Sequence, residues 1–307
     1  MKLSFVLPAY KRRFLKEAIA SILDQTFREF ELIVVDDCSP EGLREIVEGF
    51  SDERVVYIRN KVNLGGKNLV DNWNRCLELA SGEYCVLASD DDIYLPRFAE
   101  RMLALVGKYP DVDVFHCRTG VIDENGRLSK IGEKRPELES FADLLYARGV
   151  KRCLQTAPEF MFRTAALRRV GGFVSFPLAW YSDDATWLTL AKGNGVACAD
   201  EVLFHWRYSG INISSRFDVA EKKVLAAECY KSWLKDFVPT VKSCSEDDAV
   251  VLKLVAKLID GVIDQQTLFD LDDTGFWPWL KLMAKMDLRC GLKLRSVRNR
   301  IRKIVRV

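Results

Sequence analysis

Glu83-Tyr-Cys-Val-Leu-Ala-Ser-Asp-Asp-Asp-Ile-Tyr-Leu-Pro96 is the stretch from which the rest of the chain can be read. Five residues of strand character, Tyr84 to Ala88, run into the carboxylates of Asp90, Asp91 and Asp92, and Pro96 stands where a new helix would begin. Three carboxylates this close repel one another unless a cation or a set of hydrogen bonds absorbs the charge. A hard divalent ion, Mg2+ or Mn2+, suits them, because such ions take oxygen ligands and keep room for substrate phosphates. The competing reading is an acidic turn that caps a helix and favours its dipole.

Working outward, Leu3-Ser-Phe-Val-Leu7 is a short apolar strand ended by Pro8. Phe14, Leu15, Ala18, Ile19, Ile22 and Leu23 follow at the spacing of a helix with one buried face. Glu31-Leu-Ile-Val-Val35 is a second strand, ending at Asp36 and Asp37, with Ser39-Pro40 opening the next helix. Val55 to Ile58 is a third strand, Asn63-Leu-Gly-Gly66 a turn, and Asn68 to Ala80 a helix with Gly82 as its stop. Strands alternate with helices, and each strand is a continuous apolar run, the pattern of a parallel sheet covered on both faces. In such sheets ligands lie at the carboxyl ends of the strands, here Pro8 to Tyr10, Asp36 to Ser39 and Asp90 to Asp92. Neither a Gly-x-Gly-x-x-Gly after the first strand nor a Gly-x-x-x-x-Gly-Lys-Ser/Thr occurs, which disfavours dinucleotide oxidoreductases and P-loop nucleotidases.

The 307 residues are 49% hydrophobic and 29% charged, enough for one large domain with an appendage or two modest ones. A net charge of +2 sets up no global field and so gives no reason to expect a nucleic-acid partner. Nine cysteines are scattered without a Cys-x-x-Cys pair beside only two histidines, which argues against both a zinc site and a disulfide framework. The apolar run at residues 3–7 is too short for a signal peptide, and no apolar stretch approaches the roughly 20 residues of a membrane span. The expectation is a cytoplasmic protein.

Several motifs in order resemble the family 2 glycosyltransferases of the GT-A fold: Val6-Leu-Pro-Ala-Tyr10, Ser21-Ile-Leu-Asp-Gln-Thr-Phe27, Phe30-Glu-Leu-Ile-Val-Val-Asp-Asp-Cys-Ser39, Asn63-Leu-Gly-Gly66, Ser81-Gly-Glu-Tyr84 and Asp90 to Asp92. The resemblance is strong over residues 2–110 and looser over 155–215. It implies a Rossmann-like, mainly parallel α/β sheet, with residues 1–110 binding a nucleotide-sugar and 111–215 building the acceptor half. Pro8, Ala9 and Tyr10 with Asp37 resemble the positions that hold the base, Asp36 being the alternative to Asp37. Asp90 then lies toward the ribose, and Asp91 matches the metal-binding carboxylate of the family's Asp-x-Asp. Ser89 stands where many members carry the first aspartate, so Asp91 is expected to be the single direct carboxylate ligand. Lys67 is a candidate phosphate contact, against the simpler reading of a solvated lysine.

Beyond Pro110, Val112 to Cys117 reads as a strand and Asp123-Glu-Asn-Gly126 as a hairpin turn. Leu167-Arg-Arg-Val-Gly-Gly-Phe173 and Ser182-Asp-Asp-Ala-Thr-Trp187 again resemble the family, whose acidic pair opens a helix. Inverting transfer needs a carboxylate beside the acceptor hydroxyl to take its proton. The resemblance assigns that base to Asp184, with Asp183 next to it as the alternative; plain helix capping is the competing reading. In the segment ending Ile211-Asn-Ile-Ser214, Arg207 is a further candidate phosphate contact, while Ser209 stands where the family often has histidine.

Residues 216–307 read as a helical extension, with helices over Ala220 to Phe237 and Ala249 to Phe269, then an aromatic knot at Phe276-Trp-Pro-Trp279. After Leu288 the chain carries eight lysines and arginines and no acid. With Leu294, Val297, Ile301 and Ile304 on one face, this end suits either an anionic membrane surface or packing against the catalytic domain. Taken together, the expectation is an inverting, Mn2+- or Mg2+-dependent transferase. It would move a sugar from a nucleotide-diphosphate sugar, UDP-linked by preference, to a saccharide or lipid-diphosphate-linked acceptor in polysaccharide assembly. A sugar nucleotidyltransferase and a non-catalytic binding protein on the same fold are the alternatives.

Overall fold

A computed structural model of the chain describes residues 2–213, 216, 218–242, 245–272, 279, 280 and 284. The first half alternates strand and helix: β1 (Leu3–Ala9), α1 (Leu15–Leu23), β2 (Phe30–Asp36), α2 (Leu43–Glu48), β3 (Val55–Arg59), α3 (Leu69–Leu79), β4 (Tyr84–Leu87), β5 (Ile93–Tyr94) and α4 (Phe98–Lys108). The second half runs β6 (Val114–Ile122), β7 (Leu128–Ile131), β8 (Leu138–Glu139), α5 (Phe141–Gly149), β9 (Phe160–Arg163), α6 (Thr164–Arg169), α7 (Ser182–Ala191), β10 (Val196–Arg207), α8 (Ala220–Phe237) and α9 (Glu246–Asp272).

The sheet order is β3-β2-β1-β4-β9-β6-β10-β5, with β7 on β6 and β8 on β10. The four strands read from continuous apolar runs are all parallel, β1 pairing β2 from Leu3↔Phe30 to Ala9↔Asp36 and β4 from Leu3↔Tyr84 to Val6↔Leu87. The all-parallel pattern ends there, because β9 enters antiparallel between β4 and β6, and β5 lies antiparallel on β10. A mixed far half escapes sequence reading: β9 is a four-residue run whose partners are set by tertiary packing.

Both faces are covered. On β1, Leu3, Phe5, Leu7 and Ala9 face α1, α2 and α4, while Val6 faces α3 and the second-half helices. Phe5 is fully buried, edge-on to Phe30 and Tyr94 at 5.5 and 5.3 Å, a contact set in which such a ring contributes roughly 1.5–3 kcal/mol by burial alone. Helix α3 begins at Asn68, whose side chain accepts from the Val70 N–H, and ends at Ala80. Gly82, expected as that helix's stop, instead permits close strand approach: a Cβ there would lie 2.7 Å from Ser4 N. The hairpin at Asp123 to Gly126 forms as expected, Asp123 accepting from Asn125 N and Arg127 N at 2.8 and 2.9 Å between β6 and β7.

Set apart by the sequence reading, α8 and α9 share one apolar core with the sheet: Ala227, Tyr230, Leu234, Ile259 and Ile263 join Phe160 and Trp187. Gly149 ends α5 where a Cβ would meet Ile259 Cδ1 at 2.8 Å, and buried Lys231 and Asp264 pair at 2.7 Å between α8 and α9. Of the aromatic knot, Trp279 is described and buried; Phe276, Trp277 and Pro278 and everything from Arg289 onward lie outside the described residues. Among the described residues no helix is long and apolar enough to cross a membrane.

Candidate active site

Strand order reverses direction between β1 and β4, the switch point at which open α/β sheets form a ligand crevice. A cavity of about 870 Å³ opens there, walled by the ends of β1 and β4, the 63–66 turn, the 148–158 segment, the start of α7, the 211–213 segment, and residues of α8 and α9. Pro8, Ala9, Tyr10, Asp37, Asp90, Asp91, Asp183 and Asp184 all line it. Tyr10 is 41% exposed, an aromatic face available for stacking, and its carbonyl is held by the Ser39 hydroxyl at 2.6 Å.

Adjacent aspartates at the end of β2 have different surroundings. Asp36, fully buried, is paired with Arg59 and Tyr57 and accepts from Ser39 N at 2.7 Å; it does not line the cavity. Asp37 does, and accepts from Asn60 Nδ2, Leu64 N and Gly65 N at 2.8, 2.9 and 2.7 Å. Successive strand residues point to opposite sides, so one carboxylate locks β2 to β3 and the other organises the glycine turn.

Asp90 accepts from the backbone N–H groups of Tyr10 and Lys11 at 2.9 and 2.8 Å, tying β4 to β1 across the switch point. Asp91 receives the Ser89 hydroxyl on one oxygen and, on the other, Lys11 Nζ at 2.8 Å and Asn212 Nδ2 at 3.2 Å. Asp92 accepts from Arg207 N at 2.8 Å, and burial followed by the Asp91 charge pushes its carboxyl well above the ordinary range. Of the three carboxylates, Asp91 alone has every partner on a side chain, none of them a backbone amide. That suits a hard cation which takes one protein oxygen and completes its shell with phosphate and water. Lys11 balances the same charge; its ammonium is held more basic than usual by Asp90 and Asp91 against the opposing effect of burial.

Arg207 and Lys67 are placed elsewhere. Arg207 is 2% exposed, its guanidinium donating to Asp91 O at 2.8 Å and Glu17 at 2.7 Å and lying 4.3 Å from the Phe14 ring centre. It supports the acidic loop from beneath and lines no cavity wall. Lys67 is exposed beyond the glycine turn and also lines no part of the cavity.

At the opposite end of the sequence motif set, α7 opens at Tyr181, a left-handed residue with φ 67°, and carries Asp183 and Asp184 in its first turn. Asp184 is 2% exposed; its Oδ1 accepts from Arg148 Nε at 2.7 Å and Gln155 Nε2 at 3.0 Å. Its Oδ2 takes no hydrogen bond from the described residues. Burial and the Asp184 charge, partly offset by Arg148, push the Asp183 carboxyl up to about 7. One carboxyl is thus pinned beside a guanidinium, while its neighbour on the same helix turn is held well above the ordinary carboxyl range.

A family model described as "Glycosyl transferase family 2" matches residues 4–171, more than half of the chain. The chain belongs to that family. Among relatives, it is 32% identical over 179 residues to "Putative glycosyltransferase EpsE" of Bacillus subtilis, covering 57% of this chain and 60% of EpsE. It is 26% identical over 215 residues to "UDP-Glc:alpha-D-GlcNAc-diphosphoundecaprenol beta-1,3-glucosyltransferase WfgD" of Escherichia coli, covering 69% and 79%. The match thus spans less than two thirds of EpsE and, at 57%, of the uncharacterized glycosyltransferase MJ1057 of Methanocaldococcus jannaschii. In fold it is similar to S. aureus TarS in complex with UDP, at a TM-score of 0.59 and 19% identity over 98% of this chain and 88% of that one. It is similar also to the mannosyltransferase PcManGT of Pyrobaculum calidifontis in complex with GDP-Man and Mn2+, at a TM-score of 0.58 and 16% identity over 97% and 84%. The fold is GT-A.

Within this family 2 fold, sequence reading missed the residues that reach the acidic motifs from a distance. Lys11 meets Asp91 across eighty positions, and Arg148 and Gln155 meet Asp184 across 36 and 29. Trp180, Tyr181 and Tyr230 complete the wall beside Asp184. A separate buried group, His116, Glu139 and Cys198, brings nitrogen, oxygen and sulfur within 4.8 Å of one another. It lies away from the cavity lining, and Arg135 pairs with Glu139 there, so its charge is already balanced.

Proposed function

We propose that the chain is an inverting, metal-dependent glycosyltransferase that takes its sugar from a nucleotide-diphosphate sugar, UDP-linked by preference, and adds it to a saccharide or lipid-linked saccharide in polysaccharide assembly. The observation that carries this reading is a single cavity lined by Asp37, Asp91 and the Asp183–Asp184 pair. A donor face and a proton-accepting face on one cavity is what single displacement requires.

In this reading Tyr10 and Asp37 flank the base, and Asp90, by fixing the β1 end, sets the position of the ribose. Asp91 holds Mn2+ or Mg2+, whose chemistry is to neutralise charge on the departing diphosphate. Lys11, which lines the same cavity and pairs with Asp91, would supply a second positive charge to that diphosphate. Asp184 Oδ2 takes the proton of the attacking hydroxyl as the bond from that oxygen to the anomeric carbon forms and the bond to the diphosphate oxygen breaks. The electron pair of the broken bond leaves with the nucleoside diphosphate. Arg148 and Gln155 hold the Asp184 carboxyl in place through its other oxygen, Oδ1.

Residues 1–215 act as the catalytic unit and the helices that follow close its acceptor side. WfgD, whose name specifies a diphosphoundecaprenol acceptor, supports a lipid-linked acceptor here. An acceptor of that kind would bring the chain to a membrane surface, which the basic run from Arg289 suits. The test is thermal stability of the purified protein with Mn2+ against UDP-, GDP-, dTDP- and CMP-sugars, with EDTA as control. A metal-dependent rise with UDP-sugars is expected; no rise with any nucleotide, from folded protein, would sink the reading.

A further inference from the structure

Two buried polar atoms, on residues that line the cavity with Asp184, have no hydrogen-bond partner among the described residues: Gln155 Oε1 and Tyr230 Oη. Their residues are 6% and 2% exposed, and both line the cavity. Buried groups of this kind are rare in folded proteins because leaving one unpaired forfeits its hydration. Their orientation is not arbitrary. Gln155 Nε2 donates to Asp184 Oδ1 at 3.0 Å, an orientation that turns Oε1 away from that carboxyl. Tyr230 is stacked on Tyr181 at 4.7 Å and 8° and on Trp233 at 6.1 Å and 13°, so its ring cannot swing its hydroxyl toward a protein partner. Tyr230 lines the same cavity as Asp183 and Asp184.

The wall that holds these groups is bent at a cost. Leu178, Ala179 and Tyr181, with φ of 61°, 55° and 67°, are left-handed non-glycine residues lining the cavity there. Such conformations persist where surrounding structure imposes them, and they gather at ligand clamps.

We propose that Tyr230 Oη and Gln155 Oε1 form an acceptor-recognition subsite, binding the ring substituents next to the hydroxyl that attacks. Gln155 Oε1 accepts from an O–H or N–H, and Tyr230 Oη donates to an oxygen. The sugar that fits carries a hydroxyl or acetamido group adjacent to its reacting hydroxyl. The proposal rests on the transfer reading given for Asp184, and it makes α8, from the helical extension, part of the active site.

The experiment uses the full chain saturated with UDP and Mn2+, and octyl glycosides of glucose, galactose, mannose and N-acetylglucosamine as probes, each with its monodeoxy analogues, binding being followed by calorimetry. At least one glycoside is expected to bind, and Tyr230→Phe to weaken it about tenfold with UDP affinity unchanged. Removing the matching hydroxyl from the probe should cost the wild type the same factor and the variant nothing further. Without ligands, Tyr230→Phe should melt at or above the wild-type temperature, since the deleted hydroxyl has no partner among the described residues. The subsite is overturned if no glycoside binds the UDP-loaded wild type, if Tyr230→Phe binds the probe as well as wild type, or if it melts several degrees lower. Loss of UDP binding in the wild type itself would instead overturn the donor reading.

Discussion

The end of the cavity proposed to take the donor and the end proposed to take the acceptor are built in opposite ways. At the donor end four parallel strands stop at one level, and Asp37, Asp90 and Asp92 hold backbone N–H groups of neighbouring loops. At the acceptor end Arg148 from α5, Gln155 from a loop, Asp184 from α7 and Tyr230 from α8 converge from four segments, and the loop between them bends through left-handed residues. The first is a frame of main-chain contacts tolerant of side-chain change away from the carboxylates. The second depends on side chains meeting side chains, where single substitutions reach the chemistry directly.

That contrast predicts a graded set of effects. The largest should come from Asp91→Asn and Asp184→Asn, each lowering kcat by about 10²–10⁴-fold in a folded protein, since one removes the cation's carboxylate and the other the proton acceptor. Near-wild-type turnover in either variant removes that residue from its role. Arg148→Met should lower kcat about tenfold or more. Because Arg148 opposes the upward push on Asp183, its loss should also move the acid limb of the pH–rate profile to higher pH, and a limb that stays put argues against the coupling.

Asp36→Asn belongs to the frame: it should destabilise by about 2 kcal/mol, through Arg59 and Tyr57, while leaving the affinity of the folded protein for UDP unchanged. A weakened UDP affinity at full folding would return Asp36 to the donor site. Asp183→Asn should do the reverse and stabilise. The folded carboxyl, pushed up to about 7 from an ordinary value of 3.8, binds a proton that the unfolded chain has released between those values, so wild-type stability falls as pH rises through that window. The variant should therefore melt higher than wild type at pH 8, by on the order of 2 kcal/mol, with the gap closing toward pH 4. The smallest effect is expected for Lys67→Ala, exposed and outside the cavity, with donor KM within twofold of wild type. A tenfold rise in donor KM would extend the donor site beyond the glycine turn.

How much was legible follows the same division. β1 to β4 and their helices announce themselves because local apolar runs and the 3.6-residue period report burial directly. Asp37, Asp91 and Asp184 each follow a strand end or open a helix within a motif, and the fold brings all three to one cavity. Type and position along the chain do not say which way a side chain points: Asp36 and Arg207, expected at the ligand, bond Arg59 and the Asp91 carbonyl and do not line this cavity. The extension looked detached because its helices carry their own periodicity, whereas their apolar faces are spent on the same core as Trp187.

By itself, then, the sequence determined the alternating strands and helices, the parallel half-sheet, the acidic strand end and the acidic helix start, all of them set by neighbours within a few positions. Tertiary structure alone decided that Lys11 neutralises Asp91, that Arg148 and Gln155 clamp Asp184, that β9 slips in antiparallel, and that Tyr230 lines the cavity with a hydroxyl that no described residue matches. These are pairings between residues from 29 to eighty positions apart, or in Tyr230's case a pairing withheld. Their energies depend on distance and desolvation, which only the closed chain defines.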